Sequence, residues 1–315
     1  RVASLTDLIA NKLNESRQGH YKDLRFSDIE LKELSMAGWM HDVGKIITPE
    51  FIMDKSVKLE TIFDRIELVK ERFRTMKLLL SIKQNQMPDE DYSKLVQTTF
   101  GAELEPGNVN DFLDEEFAFV ERINFGGEFL HDADAARIDQ LAKISLPHEG
   151  HDYILIDEDE LHNLQIRRGT LLPEEIKEMS SHVQVTWEML SQLSFPKKYK
   201  NVAFYAATHH EKLNGKGYPW GLKAEELPIQ SRIIAVADIF EALTSADRPY
   251  KKPKKLSESL KIMAFCVKDG DLDPDLLDFF LDSGLYMDFA TQNMYQEYVD
   301  TVDIEALKKI YHPSS

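Results

Sequence analysis

The sequence predicts an all-α protein. Apolar residues recur at helical spacing through most of the 315 residues, strong period-2 alternation is scarce, and no repeat of 20–50 residues is present. Residues 28–41 predict a helix that ends at Gly44, a residue suited to a left-handed C-terminal cap. Between Leu59 and Ile82, the residues Ile62, Ile66, Val69, Phe73, Met76 and Leu80 form one apolar stripe on a long helix, which Pro88 ends. Shorter helices are expected near 110–124 and 133–145, and residues 152–166 read as a short strand or hairpin. Pro173 suits the first turn of a helix running to about Leu193. Further helices are expected at 199–212, 228–245, 255–268 and 302–310.

Composition narrows the function. Hydrophobic residues make up 43%, ordinary for a globular chain and too many for a disordered one. No run of about 18 apolar residues occurs, so no membrane segment is expected. One cysteine, Cys266, rules out an intrachain disulfide and points to a reducing, cytoplasmic setting. The chain begins at Arg1 without a signal-peptide pattern or initiator Met, and an upstream sensor domain is expected. The net charge of −17 argues at first against DNA, RNA or anionic lipid as partners. Yet residues 84–165 carry a net −16 and residues 269–303 a net −10, which leaves +9 on the remainder. The body of the chain can therefore attract a phosphate.

Three His-Asp pairs occur, His41-Asp42, His131-Asp132 and His151-Asp152, where chance gives about one. Only the first sits at the end of an apolar helix; the other two read as solvated surface. His209-His210-Glu211 follows the apolar run from Val202 to Thr208, and adjacent imidazoles on a helix would point about 100° apart. His182 lies on the helix after Pro173, and Asp238 in an apolar helix where a carboxylate needs a partner. Taken singly, each is more simply a satisfied core residue. Together they make four imidazoles and two carboxylates, a set suited to Mn, Fe or Zn, and the single cysteine excludes a thiolate site. Two metals about 3.5–4 Å apart supply an acidified water and neutralise phosphoryl charge, the arrangement used on phosphate esters. Asp42, directly after a histidine, is the expected bridge and a catalytic residue. Lys45, one turn from His41, is placed to meet a phosphate oxygen or the leaving oxygen; its plainer reading is a cation at a helix end.

These residues resemble the HD-GYP phosphodiesterases, a branch of the HD phosphohydrolases. The resemblance rests on His41-Asp42-Val43-Gly44-Lys45, His182, His209-His210-Glu211, Asn214-Gly215-Lys216-Gly217-Tyr218-Pro219, the run from Arg232 to Asp238, Ala242-Leu243-Thr244 and Arg248-Pro249-Tyr250-Lys251. It implies an HD-type helical bundle with two or three divalent metal ions, Fe or Mn first, with Zn, Ni or Mg as alternatives. The implied ligands are His41, Asp42, His182, His209, His210 and Asp238. The implied substrate contacts are Lys45, Gly217, Tyr218, Pro219, Arg248 and Lys251. The implied reaction is hydrolysis of a cyclic dinucleotide, cyclic di-GMP or 3',3'-cyclic GMP-AMP, to a linear dinucleotide or mononucleotides. Gly215 and Gly217 would allow unusual backbone dihedrals, and Tyr218 offers a ring for guanine or a hydroxyl for phosphate.

The chain departs from the pattern in four places. The Glu and His that usually precede an Arg-Val pair lie upstream of Arg1; Glu241 stands where a second Asp is common; one extra residue precedes Arg248; and the stretch between Lys45 and His182 is more than four times the usual length. The expected organisation is a discontinuous catalytic core at 1–60 and 167–265, an acidic helical insertion at 61–166 and an acidic extension at 266–315. The 62–80 stripe needs a partner, read first as an intramolecular helix and second as a homodimer or sensor contact. Two alternatives to the enzyme reading are a catalytically weak cyclic dinucleotide receptor and an HD phosphohydrolase acting on nucleotides such as dNTPs.

Overall fold

The structure, a computed structural model, describes residues 1–245 and 254–312. Its α-helices are α1 (Val2–Glu15), α2 (Asp28–Met40), α3 (Glu50–Met53), α4 (Ile66–Gln86), α5 (Asp89–Phe100), α6 (Val109–Asn124), α7 (Asp132–Leu141), α8 (Glu158–Leu164), α9 (Pro173–Ser191), α10 (Val202–Ala207), α11 (Ile229–Thr244), α12 (Leu256–Lys268), α13 (Pro274–Asp282), α14 (Leu285–Asn293) and α15 (Ile304–Tyr311). The only sheet among the described residues is a two-stranded antiparallel hairpin, β1 (Ser145–His148) with β2 (His151–Ile154). The fold is all-α. No helix among the described residues is long and apolar enough to cross a membrane.

The chain divides into two compact units, 1–48 with 177–315, and 49–176. In the first, α2 packs against α1 and α10, and α11 against α1, α10, α12 and α13. Their shared core runs from Leu5, Ile9 and Leu13 through Leu34 and Ala37 to Ile233, Val236, Phe240, Met263 and Phe280. α2 starts at a capping box: the Ser27 hydroxyl accepts from the Glu30 amide and the Glu30 carboxylate accepts from the Ser27 amide. α11 is buried on most of its faces, so its position is over-determined by packing.

The second unit has a core of its own. The α4 stripe of Ile66, Val69, Phe73, Met76 and Leu80 is buried against α5 and α6. Its partner is thus intramolecular. Lys55, with a 1% exposed side chain, donates to Asn163 Oδ1 at 2.8 Å and to both Glu175 oxygens at 2.9 Å.

Several local expectations change. Ile62 is 95% exposed and precedes α4, because the helix begins only at Ile66. The hairpin lies at 145–154, ahead of the expected 152–166, where a capping box at Asp157 and Glu160 starts α8 instead. α10 ends at Ala207, so His209 and His210 occupy the turn after it rather than the helix. The Asp-rich tail is absorbed by capping and ion pairs: Asp273 caps α13 and pairs with Arg232, and Asp271 holds Lys212 and Asn214.

Candidate metal centre

All the described candidate ligands fall in the first unit, and the structure brings them to one place. α2 delivers His41 and Asp42 at its C-terminal end, α9 delivers His182, the turn after α10 delivers His209 and His210, and α11 delivers Asp238. Asp42 Oδ2 lies 3.2 Å from His41 Nε2, while its Oδ1 lies 3.3 Å from His182 Nε2 and 3.7 Å from His209 Nε2. Asp238 Oδ1 is 3.5 Å from His41 Nε2. Two triads emerge, His41-Asp42-His209 and His182-His209-His210, with ligand atoms inside each within 4.8 Å of one another. They share His209.

Three of the imidazoles are oriented in the same way. His41 Nδ1 faces Gly38 O at 2.8 Å, His182 Nδ1 faces Met179 O at 2.5 Å, and His209 Nδ1 faces Ala206 O at 2.6 Å. A carbonyl can only accept, so each Nδ1 carries a proton and each ring turns its Nε2, the atom that can ligate, inward. That is how a metal-binding histidine is usually held. The inward atoms His41 Nε2, His182 Nε2, His209 Nε2 and Asp42 Oδ1 are all buried without a hydrogen-bond partner. Each such orphan costs about 1–3 kcal/mol, and four gathered at one point, from imidazole and carboxylate, fit a divalent cation.

The electrostatics agree. Burial disfavours charge on His41, yet the facing carboxylates of Asp238 and Asp42 prevail and raise it to about 10. Burial also works against charge on Asp42, but His182, His41 and Lys45 outweigh it and hold it well below the usual carboxylate range. His209 is lowered to about 3 by burial and by the charge of His41, and His210 to about 3 by burial and by His209. The cavity without metal therefore holds neutral His209 and His210 and a protonated His41 beside an ionised Asp42.

The turn carrying Asp42 and Lys45 lies flush on α9. Gly44 N donates to Thr186 Oγ1 at 3.0 Å, and Thr186 Oγ1 donates to His41 O at 3.2 Å. Gly44 is not a left-handed cap: residues 43–47 form a 3-10 helix, and Gly44 has no positive φ. Its glycine is required because a Cβ would stand 2.0 Å from His182 O. Lys45 Nζ reaches Asp42 Oδ2 at 2.6 Å.

The loop from Asn214 to Lys223 closes the other side. Gly215 takes a left-handed φ of 74°, as expected. Gly217 does not; it is needed because a Cβ there would stand 2.4 Å from Lys212 N. Tyr218 precedes Pro219 through a cis peptide bond and stacks on His210, with ring centroids 5.0 Å apart and 30° between planes. Burial raises its hydroxyl to about 12, so the phenol is neutral. Arg248 and Lys251 lie outside the described residues. His131, Asp132, His151 and Asp152 are all exposed and belong to the second unit.

Two residues escaped sequence reasoning. Thr186 sits in an unremarkable stretch, and only the fold places its hydroxyl on the His41–Gly44 turn. Glu211 adjoined the paired histidines but had no assigned part. It is buried, and its carboxylate accepts from Trp220 N at 2.7 Å, Gly221 N at 3.1 Å and Leu222 N at 2.9 Å.

A family model described as HD domain matches residues 158–276, which hold His182, His209, His210 and Asp238. The match takes in less than half of the chain. The chain is 36% identical over 155 residues to a cyclic di-GMP phosphodiesterase of Thermotoga maritima, covering 49% of this chain and 35% of that protein. It is 28% identical over 252 residues to a cyclic di-GMP phosphodiesterase response regulator of Xanthomonas campestris, covering 78% and 62%. It is 47% identical over 77 residues to 3'3'-cGAMP-specific phosphodiesterase 1 of Vibrio cholerae, covering 24% and 18%. The chain thus spans less than two thirds of each of these relatives.

Proposed function

We propose that this chain is the catalytic part of a metal-dependent cyclic dinucleotide phosphodiesterase. The observation that carries the proposal is the convergence of four unpartnered buried ligand atoms, His41 Nε2, Asp42 Oδ1, His182 Nε2 and His209 Nε2. The names of the relatives supply the substrate class, cyclic di-GMP or 3',3'-cyclic GMP-AMP.

In this reading His41, Asp42, His182, His209, His210 and Asp238 hold two or three divalent ions, Fe or Mn first by the family resemblance, in an all N/O donor set that also suits Zn. When bound, the ions supply an acidified water and neutralise phosphoryl charge. Asp42 has one oxygen toward His41 and the other toward His182 and His209, which suits a bridging carboxylate. Lys45 keeps a cation beside that carboxylate, where it can take up charge on a phosphate oxygen. The Gly217-Tyr218-Pro219 loop borders the site, and Arg248 and Lys251 are proposed phosphate contacts. A sensor partner is part of the same reading, supported by the response-regulator name of the Xanthomonas relative.

The test is product chromatography on both cyclic dinucleotides, with protein purified without oxygen and loaded with Fe or Mn. The parent should produce linear dinucleotide. Asp42→Ala should abolish turnover and lower bound metal while retaining the helical circular dichroism. Near-normal turnover by Asp42→Ala, or tight cyclic dinucleotide binding by the parent with no product, would refute the proposal.

A further inference from the structure

Three of the four imidazoles are turned by a backbone carbonyl three residues back, and His210 is not. Among the described residues its ring is set by neighbouring rings: His209 at 4.2 Å, His182 edge-on at 5.3 Å, and Tyr218 stacked at 5.0 Å. His209 and His182 are themselves ligand candidates, which leaves Tyr218 as the outer wall. Tyr218 stands on a loop, and a loop ring can orient a ligand only if the loop is fixed.

One carboxylate grips the loop just past Tyr218. Glu211 accepts from three consecutive backbone N–H groups, Trp220, Gly221 and Leu222, and Gly221 takes the left-handed φ of 68° that makes such groups converge. Those groups follow Tyr218 and Pro219 directly. On the near side Gly217 presses against the backbone of Glu211 and Lys212, closely enough to exclude a Cβ. Tyr218 N also donates to His210 O at 3.3 Å. Glu211 is adjacent to His210 in sequence, so the same short segment carries the imidazole and the anchor of the loop that packs on it.

We infer that Glu211 is a positioning residue: by gripping the backbone at 220–222 it seats Tyr218 against His210 and thereby orients that imidazole for metal binding. The inference rests on the metal-centre reading above. The Glu211 carboxylate is engaged by backbone N–H groups and stands outside the two ligand triads, so it acts through the loop.

The test is titration of the full chain, freed of metal, with Co²⁺, read by the visible absorption bands of the bound ion. Glu211→Gln should weaken binding at one site by about 10–100-fold and alter its bands, the usual consequence of losing an outer partner of a ligand. Glu211→Asp keeps the charge but shortens the reach, and it should weaken binding in the same way. Tyr218→Ala removes the wall without changing charge and should match them, while Tyr218→Phe keeps the ring and should bind like the parent. The double variant Glu211→Gln with Tyr218→Ala should be no weaker than Tyr218→Ala alone, because both act on one path.

Parental affinity and bands in Glu211→Asp, or additive losses in the double variant, would overturn the inference. Tyr218→Ala leaves the Glu211 bonds in place, so it decides the matter should a Glu211 variant fail to fold: parental binding overturns the inference. A parent that does not bind Co²⁺ at all refutes the metal-centre reading itself, and the inference falls with it.

Discussion

Replacing Gly44 by alanine should separate the two halves of the candidate metal centre. The added Cβ would stand 2.0 Å from His182 O, 2.7 Å from Thr186 N and 2.8 Å from Thr186 Oγ1. Two of these are backbone atoms of α9, so no side-chain rotation relieves the clash. Ordinary contact requires the turn to retreat from α9 by at least about 1 Å, a displacement of the size that costs about 10²-fold in a positioned site. The retreat breaks the Gly44 N to Thr186 Oγ1 bond and carries His41 and Asp42 away from His182. Overpacking of this kind costs about 1–3 kcal/mol, which lowers Tm by about 2–4 °C per kcal/mol for a unit of this size. The assay is Mn²⁺ titration with turnover of cyclic di-GMP, a proposed substrate, alongside a thermal melt, and Gly107→Ala is the control because nothing lies within 4 Å of its Cβ. Gly44→Ala should bind Mn²⁺ more weakly and lose about 10²-fold in turnover, a far greater loss than its melt would explain. Parental affinity and turnover in Gly44→Ala would refute the argument that this contact sets the site.

Thr186→Val should cost about 1–3 kcal/mol by leaving Gly44 N unpaired, and Thr186→Ser should restore most of it; equal melts for the two variants would contradict the assigned bond. Metal binding should release a proton at pH 7.5, since His41 is raised to about 10 without metal and must shed its proton to ligate, whereas His209 and His210, lowered to about 3, have none to shed. Affinity should accordingly rise with pH up to about 10 and fall below it; calorimetry in buffers of different ionisation enthalpy counts the proton, and a count of zero rejects the assignment. Lys55→Met should destabilise the 49–176 unit by about 3–5 kcal/mol by leaving the Glu175 carboxylate and Asn163 without their buried cation, and an unchanged denaturant midpoint would show that the ion pair contributes nothing.

Chemistry was more legible in this sequence than geometry. The helical class, the run from His41 to Lys45, the paired histidines and Asp238 could all be picked out, because a metal set needs scarce residue types in company and an apolar helix makes a lone carboxylate conspicuous. Helix ends were less legible. Ile62 fits the α4 stripe by spacing yet lies outside the helix, and α10 stops before His209, because both boundaries depend on where neighbouring backbone runs. Gly44 shows the difference most sharply. Its place at a helix end suggests a dihedral reason for glycine, whereas the actual reason is the approach of a helix more than 130 residues away in sequence.

The sequence by itself determined the all-α class, the donor atoms available and the placing of its acidity outside the metal motifs. Only the tertiary structure decided which donors meet and what holds them. Thr186 grips the turn of His41, and Glu211 grips the loop of Tyr218. Residue type and spacing record which groups a chain can offer; hydrogen bonds between distant segments, and space too small for a Cβ, arise only when the backbone is packed.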